Sequence, residues 1–238
     1  MHDYYKKNML RLRKRTSGFM LLIKSELEEI SGKKYEDILK EIIHIYETEM
    51  LEYFPYIGGD AASGTKNLTE AYMLVAMGEA LKQYGASMEQ IGYLMVCVYE
   101  KNLRKIPKFA RGIMRRVFTN KKLLTKMFLK RDKKNRENSA ANPGSFVTET
   151  QLIPETGYDF SYHNLVCPLA DFANRRGYGD YMPYICNLDY VMFGMLGVPL
   201  FREHTCFEDK DYCDFKLKAS AEPMEYWPPV FKQDNQYK

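Results

Sequence analysis

Histidine is scarce in this 238-residue chain, with four in all, and none sits in a familiar catalytic signature. The sequence holds no His-Glu-x-x-His zinc helix, no Gly-x-Ser-x-Gly elbow, no phosphate loop and no Gly-x-Gly-x-x-Gly turn. Zincin, serine-hydrolase, nucleotide-hydrolysing and dinucleotide-dependent chemistries therefore have no foothold. Long apolar runs are missing too: nothing approaches about 18 consecutive apolar residues, so no membrane span is expected. Met1-His2-Asp3-Tyr4-Tyr5-Lys6-Lys7 lacks the apolar block and cleavage site of a secretory leader. Five cysteines, an odd number with no Cys-x-x-Cys pair, predict free thiols in a reducing cytoplasm.

What is present suits a folded protein. Hydrophobic residues make up 45% and charged residues 28%, enough for a real core. The length favours one domain over residues 1–238, with a helical part (1–137), a sheet-bearing part (138–219) and a tail (220–238). The net charge of +4 conceals an asymmetry: residues 101–136 carry fifteen Lys and Arg against the single Asp132, while both flanks are mildly acidic.

The front of the chain has helical periodicity. Phe19, Leu22, Ile23, Leu27 and Ile30 recur at three- and four-residue steps, and Ile38, Ile42, Ile45, Met50 and Phe54 continue the pattern until Pro55 and Gly58-Gly59. Asn67 with Glu70 reads as the cap of a third helix ending at Gly85, and Ser87 with Gln90 as the cap of a fourth ending at Ile106-Pro107. Residues 108–135 form a basic amphipathic helix, broken near Thr119-Asn120. A solvated face is the simpler reading of its charge, with an anionic membrane surface as the sharper one; nucleic acid is not expected, for want of a reading motif.

Strand signals take over after Asn142-Pro143-Gly144. Residues 146–153 and 158–166 read as one hairpin, and 200–207 with 212–217 as a second across the acidic turn Glu208-Asp209-Lys210-Asp211. Between them lie a short helix from Pro168 to Asn174, stopped by Gly177, and a longer one from about Gly179 to Leu196, its ends weakened by Pro183 and the glycines. Helices segregated from antiparallel strands predict an α+β fold: a helical bundle on a sheet of about four strands. Trp227 is the expected pin of the tail.

The chemistry-bearing residues gather at the back. His163, Cys167, Cys186, Asp189, Arg202, His204, Cys206, Cys213 and Asp214 fall within one short window, and Cys186 and Asp189 share a helix face three residues apart. A thiol or carboxylate there could be a nucleophile or base. A metal bound by His163, Cys167, Cys186 and Asp189 is a lesser alternative, since the ligands come from separate elements; no cofactor is favoured. The blandest reading makes the cysteines small buried residues. Arg202 on an inner strand face needs an anion.

Read in order, four pieces resemble the L-2-amino-thiazoline-4-carboxylic acid hydrolase family. They are Tyr56-Ile57-Gly58-Gly59 with Asn67-Leu68-Thr69; Leu81-Lys82-Gln83-Tyr84-Gly85; Cys167-Pro168 with Cys186-Asn187-Leu188-Asp189; and Arg202-Glu203-His204-Thr205 with Cys213-Asp214-Phe215-Lys216. The turn before Cys213 departs from that family, being acidic where a glycine-rich one is usual. The resemblance implies hydrolytic opening of a small C=N-containing ring to an N-carbamoyl amino acid. It makes Asp189 the base, or partner to a nucleophilic Cys186, with Cys167 in the same pocket. Arg202 would hold the substrate carboxylate, His163 would join it in binding, and Asn67 would offer donors at a helix N-terminus. The partner is thus a small-molecule substrate, with a homo-oligomer possible. The closing Cys-x-Phe hairpin is also similar to small-ligand sensor domains of the vinyl-reductase type, which bind without turnover.

Overall fold

The computed structural model describes residues 1–208, 211–222 and 224–230. The chain opens with α1 (Asp3–Met20), where the sequence pattern predicted a helix only from Phe19, and His2 caps it by accepting from the Tyr4 N–H at 3.1 Å. A 3-10 turn separates it from α2 (Lys24–Ser31), which ends at Gly32 with φ 66°, a left-handed conformation that glycine adopts without a Cβ clash. Next come α3 (Tyr35–Ile45), a wider turn through Leu51, and α4 (Ser63–Lys82). Asn67 is therefore one turn inside α4, not its cap; Ala62 holds the cap position. The Ser87–Gln90 capping box is present at the head of α5 (Met88–Arg104), satisfying two otherwise orphaned N–H groups.

The basic segment folds as α6 (Lys108–Thr119) and α7 (Lys121–Ala141), broken at Asn120, whose side chain caps α7. The helix runs four residues past the expected boundary at 137 because Asn138 is held by the Ser145 hydroxyl and Ile57 carbonyl rather than ending a turn. Asp132, 1% exposed, accepts from the Thr148 and Thr150 hydroxyls and the Thr150 N–H, which clamps α7 onto the first strand.

The strands are β1 (Val147–Gln151), β2 (Phe160–Val166), β3 (Leu200–Phe201) and β4 (Cys213–Leu217), with α8 (Pro168–Arg176) and α9 (Met182–Leu196) between β2 and β3. Among the described residues they make one four-stranded antiparallel sheet in the order β1-β2-β4-β3, so the fold is α+β. The second hairpin is shorter than residues 200–207 implied. After Phe201 the chain leaves the sheet, because the N–H groups of Glu203 and His204 turn to the Asp214 carboxylate. Asp209 and Lys210 of its acidic turn, and the tail beyond Val230, lie outside the described residues. Pro183 does not weaken α9; it occupies the first turn, where its missing N–H costs nothing.

Two apolar cores meet on α9. One joins α1–α5 with α8 and the first half of α9. The other packs α7 and the second half of α9 under the inner sheet face. Helices α5 and α9 approach closely because Gly92 has no side chain: a Cβ there would overlap the Tyr184 ring. Trp227 packs on Tyr93 and Tyr184, and buried Asn187 donates to the Tyr226 carbonyl at 2.7 Å and accepts from the Val230 N–H, so the tail is pinned to α9.

Candidate functional site

Where the two cores meet they leave a cavity of about 320 Å³. That is at the lower end for small-ligand pockets. The α9 spacing supplies one wall: Cys186, Asp189 and Met192 recur every three residues and all line it together with Leu188, while the intervening Asn187 turns into the protein. Strand alternation supplies a second. Tyr162 and Asn164 of β2 and Cys213 and Phe215 of β4 face the cavity. Ser63 and Asn67 of α4 and Asn135 and Arg131 of α7 complete the lining, with Cys167 at the end of β2.

Of the residues read from the sequence, Cys167, Cys186, Asp189, Arg202 and Asn67 share this cavity. His163 does not. It lies one residue out of phase, on the far face of β2, where its ring meets Gln151 Nε2 at 3.3 Å and packs on Tyr212. The set His163, Cys167, Cys186 and Asp189 is thus split by the sheet and forms no common metal site. Asn67 is present as a side-chain amide on an exposed stretch of α4, not as helix-terminal N–H groups.

Asp189 and Arg202 form the charged centre. Arg202 Nη1 donates to Asp189 Oδ2 at 2.9 Å and Nη2 to the Cys186 carbonyl at 2.8 Å, with the guanidinium flanked by the Tyr190 and Phe215 rings. The arginine side chain is 3% exposed and the aspartate 39%. One partner is locked in the wall while the other opens on the cavity. Burial pushes the Asp189 pKa above its usual 3.8 more strongly than Arg202 pulls it down. Burial also opposes the Arg202 charge, but Asp189 outweighs it and the cation is held firmly.

Arg202 is committed to Asp189, and the second cation lining the cavity is Arg131, which the sequence reading did not single out. Its guanidinium lies over the Phe128 ring at 3.8 Å and the Tyr162 ring at 4.4 Å. Nε and Nη2 are buried without a hydrogen-bond partner, and the nearest carboxylate oxygen, Asp132 Oδ1, is 3.9 Å away and already accepts from Thr148. Unpaired buried donors cost about 1–3 kcal/mol each, which an incoming anion offsets.

The thiols divide sharply. Burial raises Cys167 to about 12 and Cys186 well above 9, leaving both protonated near neutrality. Cys213 is lowered instead by Cys206, whose side chain lies beside it and whose N–H donates to its sulfur at 3.2 Å while the Cys206 thiol donates to the Asn164 carbonyl; the Arg202 charge adds to this. Strand period alone would have turned Cys213 inward beside Phe215; its acidity depends on Cys206, seven residues away in a loop.

A protein-family profile described as L-2-amino-thiazoline-4-carboxylic acid hydrolase matches residues 66–217, from the first turn of α4 to the end of β4. The chain belongs to this family. The matched span carries Asn67, Arg131, Cys167, Cys186, Asp189, Arg202 and Cys213, hence nearly the whole polar lining of the cavity. No curated protein and no solved structure matches the chain. Among the described residues, no helix is long and apolar enough to cross a membrane.

Proposed function

We propose that this family member is a hydrolase for a small carboxylated cyclic amidine of the 2-amino-thiazoline-4-carboxylate type, with Asp189 as its general base. One observation carries the reading: a carboxylate of raised pKa faces a mainly apolar cavity with a few convergent polar groups, fixed from behind by a buried arginine that donates from both terminal nitrogens. Arg131 binds the substrate carboxylate, and the Asn67, Asn135 and Asn164 side chains offer donors to nitrogen and developing oxyanion. Asp189 takes a proton from water as its oxygen adds to the C=N carbon, and passes that proton to the ring nitrogen. Collapse of the tetrahedral carbon to a carbonyl then breaks the carbon–sulfur bond, the hydroxyl proton going to sulfur, and leaves an N-carbamoyl amino acid. Arg202 positions Asp189 and touches no substrate.

A second reading rests on the lowered Cys213 thiol, which is suited to direct attack on the same carbon. Thiol release from 2-amino-thiazoline-4-carboxylate, with binding measured separately by calorimetry, separates the readings. Asp189→Asn is expected to lose at least about a thousandfold in turnover while still binding, and Cys213→Ser to keep most of its rate. The reverse ranking transfers the chemistry to Cys213. Binding without turnover by the unmodified protein returns the site to the sensor type.

A further inference from the structure

Helix α6 has an apolar face wider than its seat. At about 100° per residue, Phe109, Ile113, Val117, Ala110, Met114 and Phe118 occupy one continuous half of its circumference. Ala110, Met114, Val117 and Phe118 are the half-buried part, and Phe118 packs edge-on against Phe193 in the core. Phe109 and Ile113, one turn apart, stand in solvent at 74% and 56% exposure. No residue of α6 is buried.

The charge around this overhang has one sign. Among the described residues, the ion pairs of segment 101–136 are Lys101–Glu26, Arg104–Glu100, Arg131–Asp132 and Lys133–Glu137. No carboxylate among the described residues pairs with the cations from Lys105 through Lys130. Solvation accounts for the lysines and arginines but not for two large apolar side chains set among them.

We infer that α6 docks on an anionic lipid surface, Phe109 and Ile113 entering the headgroup–acyl boundary while Lys105, Lys108 and Arg116 meet the phosphates. An interfacial helix needs this pairing of apolar edge and cationic flank. A second copy of the chain would set the same cationic segment against itself, and a phosphodiester backbone would leave Phe109 and Ile113 in water. Phe118 lies on the cavity wall, so the docked helix is also part of the roof of the site.

The test uses the full chain and vesicles of phosphatidylcholine, alone or mixed in equal parts with phosphatidylglycerol. Co-sedimentation is expected only with the mixed vesicles, falling steeply as salt rises. Phe109→Ser with Ile113→Ser, and separately Lys108→Glu with Arg116→Glu, should each weaken it at least about tenfold. Both pairs should leave the melting temperature in place, since these side chains are exposed. A Phe109→Trp variant should add a blue-shifted emission component on binding. Absence of binding at low salt overturns the inference. So does vesicle binding that survives the double serine change, or a concentration-dependent dimer abolished by it, or equal competition by an oligonucleotide.

Discussion

At the scale of single residues, the contrast between thiol and carboxylate decides what the cavity does. Burial makes Asp189 a stronger base than a free aspartate and makes Cys186 a worse nucleophile than a free cysteine, although the two sit three residues apart on α9. The acid limb of the turnover profile should therefore have its midpoint above 3.8, with rate lost as pH falls through the raised Asp189 value because only the ionised form accepts a proton. Asp189→Glu should move that limb, and Cys186→Ser should leave both limb and rate within about threefold. A limb that follows Cys186 instead would reject the assignment. Alkylation by iodoacetamide near neutral pH should mark Cys213 ahead of Cys167 and Cys186, read by peptide mass, because of the three only Cys213 is drawn below the ordinary thiol value, while burial wins at the other two. The i,i+3 spacing made the shared face of Cys186 and Asp189 legible, but Arg202, expected on an inner strand face, lies just past the end of β3 and joined them only through the family resemblance. The sequence concealed Arg131, one cation among fifteen on a segment whose bulk is solvent-exposed. It misplaced His163 because choosing a strand face needs the register, and β2 pairs Tyr162, not His163, with inward-facing Phe215.

At the scale of elements, the site depends on how closely helices approach. Tyr184 and Tyr181 press against α5 and α4 at Gly92 and Gly78, where a Cβ would meet ring atoms, and this brings α9 down so that Cys186 and Asp189 face β4. Gly92→Ala should gain helix propensity yet lose about 1–3 kcal/mol overall, because the Tyr184 ring is buried and stacked on Trp227 with nowhere to go. Denaturant unfolding measures the loss, and a Gly92→Ala, Tyr184→Ala double variant less destabilised than the sum of the two single changes would place its origin at that contact. Helix caps were legible in part for the same physical reason. The Ser87–Gln90 box is self-contained within four residues, whereas the start of α4 is set by the loop from Gly58 to Ala62, which no local signal at Asn67 reveals. The shortness of β3 was hidden likewise, since Asp214 of the neighbouring strand β4 captures its continuation.

At the scale of the whole molecule, stability is distributed unevenly about the cavity. Its floor and walls are α4, α9 and the inner sheet face, whose apolar residues are almost all buried, while its roof includes α6, which buries no residue, and the Arg131 turn of α7. A region with few buried contacts opens locally at low free energy, so α6 is the part of the lining expected to yield first. Amide hydrogen exchange should rank α6 far faster than α4 and α9. A saturating carboxylated thiazoline should slow exchange around Phe118, Phe128 and Arg131 while α4 hardly changes. Occupancy at a hundred times the dissociation constant adds about 2.7 kcal/mol to global stability, visible as a raised melting temperature. Arg131→Ala should remove most of that gain, over and above the smaller loss in the unliganded melting temperature that comes from its contacts with the Phe128 and Tyr162 rings. If instead the ligand protects α4 and leaves α6 exchanging freely, the anion sits at the Ser63–Asn67 mouth, and Arg131 is a stacked structural cation with no part in recognition.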